Sequence, residues 1–383
     1  MDRRSFLGAV LGALAPAAPL ARAAAAGQRT RWSVRTSEGF DALCFLGPLS
    51  GKEFYARYYK DELGAFLPRL PANARTALSG LAVEAEATQA LLGPQLSVLF
   101  SGGPDAELSD LRDALERAET ALLPPYKASS YWSEENWAFL QKIRPGLRTV
   151  LGAMEAADFA GFRRGYVEPR AAQRLPALRA RLAGVDVIAE QERLLGRRFN
   201  DPTIEIDLLY FSKPHGIKVQ GQRFLTHLDY PDEVVLRNAA HEPLHPPFDM
   251  SGPIARSALA ALGKDPLLTR IVAEHDPSFG YNSVEGLLDE DTVEALEQIV
   301  SERLGFARPA AERWRQADGG MHVLAAGLYG LLKADRYDRT GGNLEKWLAT
   351  VVRRGRLAPG SLHPAAAKVL GTSVDRLWEP RKT

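Results

Sequence analysis

Thr203-Ile204-Glu205-Ile206-Asp207-Leu208-Leu209-Tyr210-Phe211 opens the stretch that decides the fold, and Asn238-Ala239-Ala240-His241-Glu242-Pro243-Leu244-His245 closes it. The first segment alternates. Ile204, Ile206, Leu208 and Tyr210 share one face and Glu205 and Asp207 the other, which predicts a half-buried strand. Pro214-His215-Gly216 supplies a turn, and Ile217-Lys218-Val219-Gln220 reads as the returning strand of a hairpin. A helix then begins near Asp232, the expected N-cap, with Val234, Val235 and Leu236 following. It must end just after His245, because Pro246-Pro247 cannot continue it. Residues 254–262, 284–304 and 321–332 then repeat apolar positions at helical spacing.

Upstream, residues 28 to about 200 read as mainly helical. Leu108, Leu111, Leu115, Ala118 and Leu122 form one stripe, which Pro124-Pro125 is expected to end. Phe54, Tyr55, Tyr58 and Tyr59 form another, better read as core than as a ligand site. The fold class expected is α+β, mostly helical, with a small sheet preceding the motif helix. Three regions follow: a leader over residues 1–26, a mainly helical part over 27–200, and a motif-bearing part over 201–383.

The leader sets the compartment. Asp2-Arg3-Arg4-Ser5-Phe6-Leu7 heads a short apolar stretch that ends in Ala23-Ala24-Ala25-Ala26-Gly27, the layout of a signal peptide. Paired arginines followed by Phe-Leu resemble the twin-arginine motif, so the twin-arginine export machinery is the expected partner and the periplasm or exterior the destination. An ordinary secretory signal with two arginines is the alternative. No later stretch approaches the ~20 apolar residues of a membrane span. Across 383 residues, 48 Lys and Arg stand against 47 Asp and Glu, a balance that excludes the concentrated positive charge of a nucleic-acid binder. Cys44 is the single cysteine, so no intrachain disulfide can form.

His241-Glu242-x-x-His245 is an H-E-x-x-H pattern. On a helix, positions i and i+4 share a face, so two imidazoles can grip one zinc ion while Glu242 takes a proton from a water it activates. Pro243 lies inside the pattern and biases the chain away from helix there; a kink could spare the metal site and displace Glu242. A hydrolytic site needs a third protein ligand. The other histidines, at 215, 227, 275, 322 and 363, do not stand at the spacing of a close third ligand, and position 251 is Ser251. A carboxylate on the acidic helix 283–304 is therefore expected. Val293, Leu296, Ile299, Val300 and Leu304 mark its core stripe, which leaves Glu290 and Glu294 together on another face. Glu290 is the first choice as ligand and Glu285 the alternative, with Glu294 orienting a ligating histidine and Glu297 and Glu302 on a solvated face.

These residues resemble the gluzincin branch of the zincin metallopeptidases, which includes the thermolysin-like enzymes. Glu290, Glu294, Ala295-Leu296 and Ile299-Val300 fall in the register of that branch's glutamate helix, and the resemblance covers roughly residues 203–330. It implies that His241, His245 and Glu290 bind zinc, that Glu242 is the general base, and that a peptide or protein is the substrate. It also implies an edge strand beside the metal, for which Thr203 to Phe211 or Ile217 to Gln220 could serve. A further donor to the scissile carbonyl is needed, with His322 and Tyr281 as candidates. The function expected is an exported zinc-dependent peptidase or related amide hydrolase. The alternative is a catalytically silent zincin-fold binding protein of the periplasm, which Pro243 favours. The third reading is a helical scaffold whose motif is accidental.

Overall fold

The computed structural model describes residues 27–380, apart from 89, 90, 277, 278 and 280, together with the backbone of Leu7–Gly8. The leader expected over residues 1–26 otherwise lies outside the described residues. The chain is mostly helical with a small mixed sheet, an α+β architecture. Its compact units do not follow the change of texture near residue 200. One unit gathers Ser33–Ala180 with Glu205–Tyr230; the other gathers, among described residues, 27–32, Arg181–Ile204 and 231–380.

The first unit is built on buried aromatic rings. Ser37 caps helix Glu38–Leu49 by accepting from Phe40 N at 3.1 Å, and every residue after Glu38 in that helix is buried. Phe45, on this helix, meets Phe211 with ring centroids 4.0 Å apart and also touches Phe66, Phe159 and Phe162. Helix Ala72–Ala87 packs against Glu134–Ala156 beside that core. The stripe from Leu108 to Leu122 is buried as expected, but it divides into Leu108–Glu116 and Ala118–Ala121. Pro124-Pro125 starts the next helix, Leu123–Ala128: the first turn has N–H groups without helical partners, so proline costs little there.

Four strands lie within residues 27–380: β1 Arg31–Arg35, β2 Thr203–Leu209, β3 His215–Lys218 and β4 Arg223–His227. Their order is β3-β4-β2-β1. The hairpin joins β3 to β4, Ile217 opposite Leu225 and Lys218 opposite Phe224, and β2 pairs with β4 in parallel. The return from Thr203–Phe211 directly into Ile217–Gln220 is thus replaced by a tighter turn one step later. Gly221 makes it, with φ of 72° in the left-handed region that glycine enters at least cost. The polar face of β2 is solvated only in part, at Glu205. Asp207 is fully buried, held by Arg223 Nε at 2.5 Å and Arg35 Nε at 2.9 Å, and Arg223 also reaches Asp105 at 2.6 Å. Burial of the carboxylate is tolerated because the guanidinium groups neutralise it.

In the second unit the expected helices appear as Asp232–His241, Pro253–Leu262, Val284–Leu304 and Val323–Ala334. Helix Val284–Leu304 starts with Ser283 Oγ accepting from Gly286 N at 3.0 Å and ends on Gly305 at φ 80°. It is buried on nearly every side from Leu287 to Ser301, packing against Asp232–His241 and Val323–Ala334.

Candidate metal centre

Everything in the candidate site belongs to the second unit. Helix Asp232–His241 buries Val235, Leu236, Ala239 and Ala240 and stops at His241. Pro243 has no N–H for the carbonyl four residues back, so Glu242–Leu244 tightens into a 3-10 turn and His245 is extended, with φ −78° and ψ 132°. The motif is therefore not one continuous α-helix. Its histidines nevertheless converge, with His241 Nε2 3.1 Å from His245 Nε2.

Glu290 faces both. Its Oε1 lies 3.4 Å from His241 Nε2 and its Oε2 3.6 Å from His245 Nε2. One ligand atom from each of the three residues can be chosen so that all lie within 4.8 Å of one another. Nitrogen and oxygen ligands at ~2.0–2.1 Å in a tetrahedral zinc site stand ~3.3 Å apart; the two nitrogens at 3.1 Å match that spacing, and Glu290 approaches it with one oxygen toward each ring, at 3.4 and 3.6 Å. Glu285, the alternative ligand, is half-buried and not part of this group.

Each imidazole also meets a carboxylate behind it. Asp289 Oδ1 is 3.4 Å from His245 Nδ1, and Glu294 Oε1 is 3.8 Å from His241 Nδ1. One helix thus supplies a shared carboxylate in front of both rings and an orienting one behind His245, whereas Glu294 stands beyond hydrogen-bond reach of His241 Nδ1 and acts on that ring by charge alone. Asp289 stands four residues after Glu285, the interval that also separates Glu290 from Glu294, but its partner here is His245.

Electrostatics fit the donor set. Burial pushes His241 well below the ordinary histidine range, which leaves its ring neutral with a lone pair to give. Burial acts the same way on His245, but Asp289, Glu290 and Glu242 together outweigh it and lift that ring to about 9. The surroundings of His245 therefore call for a positive charge, which a proton or a metal cation can supply. Burial raises Glu290, with Glu294 adding and His245 opposing. Burial also works against ionised Glu294, yet Arg313, His322 and His241 hold it well below the usual carboxylate range.

Arg313 is the counter-charge that the sequence did not announce. Its Nη2 pairs with Glu294 at 2.7 Å and also with Glu297, while Trp314 Nε1 donates to Glu294 at 2.8 Å and Ser301 Oγ to Glu297 at 2.5 Å. Glu297, expected on a solvated face, is 1% exposed. It tolerates burial because of that guanidinium. His241, Glu294 and Glu297 also lie close enough to surround an ion, but Arg313 already provides the charge there. Glu302 is half-buried too, accepting from Tyr329 at 2.5 Å and Lys333 at 2.9 Å.

The two candidate carbonyl donors part ways. His322 Nδ1 is 2.6 Å from Asp291 and Nε2 2.9 Å from Asp318, and this pair of carboxylates overcomes burial to keep the ring protonated. Both its N–H groups are spent on fixed protein partners, which corrects its assignment as a donor to substrate. Tyr281 instead keeps its proton, because burial and the nearby charges of Glu290, Asp318 and Glu294 push the phenol well above its ordinary range. Glu242 is buried in the 3-10 turn, near enough for its charge to act on both His245 and Glu290. The edge-strand expectation fares differently: β2 is interior in the sheet order, and β2 from Glu205 onward and β3 group with the first unit.

No protein-family model, curated protein or solved structure matches the chain.

Proposed function

We propose that the chain is an exported zinc-dependent hydrolase of peptide or related amide bonds, with zinc held by His241, His245 and Glu290. The observation that carries this reading is the convergence of two imidazole nitrogens and one carboxylate at 3.1–3.6 Å, with Asp289 and Glu294 behind the rings. Bound there, zinc would supply a Lewis acid that brings the pKa of water close to neutrality. Glu242 takes the proton as water attacks the amide carbonyl and passes it to the leaving nitrogen. Tyr281, a neutral donor beside Glu290, stabilises the oxygen that gains charge. Asp289 fixes the orientation of the His245 ring, and Arg313 keeps Glu294 ionised beside His241, where its charge favours a cation. Export through the twin-arginine machinery rests on Arg3-Arg4-Ser5-Phe6-Leu7 and delivers the protein folded, with its metal, to the periplasm or beyond.

A second reading, a metal-binding protein without catalysis, is favoured by one observation: Pro243 puts Glu242 in a 3-10 turn. One experiment separates them. Elemental analysis of the purified mature protein should find about one zinc per chain, lost in His245→Ala and weakened in Glu290→Gln. Glu242→Gln should keep the zinc and lower kcat against a peptide library about 10²–10⁴-fold. A wild type without zinc after reconstitution sinks both readings, and zinc without any activity that depends on Glu242 selects the silent one.

A further inference from the structure

Pro243 creates a structural debt that one distant side chain meets. In an uninterrupted helix the Ala239 and Ala240 carbonyls would accept from the N–H groups of residues 243 and 244. Pro243 has none, and the 3-10 turn draws later N–H groups to nearer carbonyls, as His245 N to Glu242 O at 3.4 Å. Both alanines are fully buried, so water is not at hand to take the missing place. Gln191, fully buried on helix Val187–Leu195, reaches across within the same unit. Its Nε2 donates to Ala239 O at 3.2 Å and to Ala240 O at 2.9 Å.

We infer that Gln191 is a positioning residue for the metal centre: its carboxamide replaces the donors lost at Pro243 and holds His241 and His245 at chelating separation. The orientation of the amide is fixed by its partners, because a flip would aim Oε1 at two carbonyl oxygens. That Oε1 is itself buried without a hydrogen bond, so the side chain is retained there for its NH2. The two carbonyls belong to the last residues before His241. Movement of that helix end shifts His241 Nε2 against His245, whose backbone follows the turn and does not share the helix. A chelate whose two nitrogens stand 3.1 Å apart tolerates little of this.

The inference rests on the zinc reading, and the test tells their failures apart. Zinc affinity is measured by competition with a chromophoric chelator on the mature wild type, Gln191→Leu, Pro243→Ala and the double variant, with Gln191→Met as a second donor-free side chain should the leucine variant not fold. Wild type comes first: no zinc uptake there overturns the zinc reading, and this inference with it, before any variant is compared. Given zinc in wild type, Gln191→Leu should keep one metal per chain and its far-UV dichroism but bind zinc about 10–100-fold more weakly. Its cobalt-substituted form should show an altered d–d spectrum, which a merely structural role would leave alone. In the Pro243→Ala background residue 243 can donate to Ala239 O itself, so the same substitution should cost no more than about threefold. Unchanged zinc affinity in Gln191→Leu and Gln191→Met, or an equal loss in both backgrounds, would overturn the assignment.

Discussion

Replacing Arg313 by methionine probes the site's electrostatic frame without touching a ligand. The guanidinium is 6% exposed, as is the side chain of Glu294, and Glu297 is 1% exposed. All three charges sit where water cannot screen them. Arg313→Met keeps most of the aliphatic volume and leaves two carboxylates buried with no cation between them. Breaking a buried pair in this way costs about 3–5 kcal/mol, because the abandoned charge must stay desolvated or take up a proton. For a body of this size that corresponds to a fall of roughly 6–20 °C in Tm. The measurement is urea and thermal unfolding of wild type, Arg313→Met and Arg313→Met/Glu297→Gln at neutral pH. The double variant should recover at least about 1 kcal/mol, since an amide at 297 can still accept from Ser301 and no longer carries charge. A loss below about 1 kcal/mol in Arg313→Met, or no recovery in the double variant, would refute the view that this guanidinium is the counter-charge of both carboxylates.

Two further outcomes are expected. His215 and His227 are pushed down by burial, to about 4 and about 3, so both are neutral in the fold while the unfolded chain protonates them near 6.5. Their contribution is therefore complete above pH 6.5 and lost as pH falls from 6.5 toward 4. Wild type should lose roughly 3–4 kcal/mol more than His215→Gln/His227→Gln between pH 7 and pH 5, read from urea midpoints, and parallel profiles would contradict the assignment. In a bacterial host with twin-arginine export, Arg3→Lys/Arg4→Lys should leave the uncleaved precursor in the cytoplasm; processed protein in the periplasm would point to the ordinary secretory route.

What the sequence disclosed of this site is what depends on spacing along one helix. His241 and His245 come from a four-residue interval, and Glu290 with Glu294 from another, read against the apolar stripe of Val293, Leu296 and Ile299. What it hid depends on partners far along the chain. Glu297 looked solvated because nothing local says that Arg313, on the next helix, will lie across it. Asp207 looked like the wet side of a strand for the same reason, its partners being Arg35 and Arg223. Strand pairing failed on a related point. Alternation tells which face of β2 is apolar but not which strand lies beside it, and Gly221 moved the hairpin one step downstream. Pro243 belongs to both kinds. The local rule was right that the helix breaks there, since His241 is its last α-helical residue. It could not say that the histidines would still meet, because the groups that replace the lost N–H come from Gln191, about fifty positions earlier in the chain. A break inside a metal-binding motif is therefore weak evidence against the motif until the donors that repair it have been sought. Here the repair is made by a side chain that no scan for histidines and carboxylates would have retained.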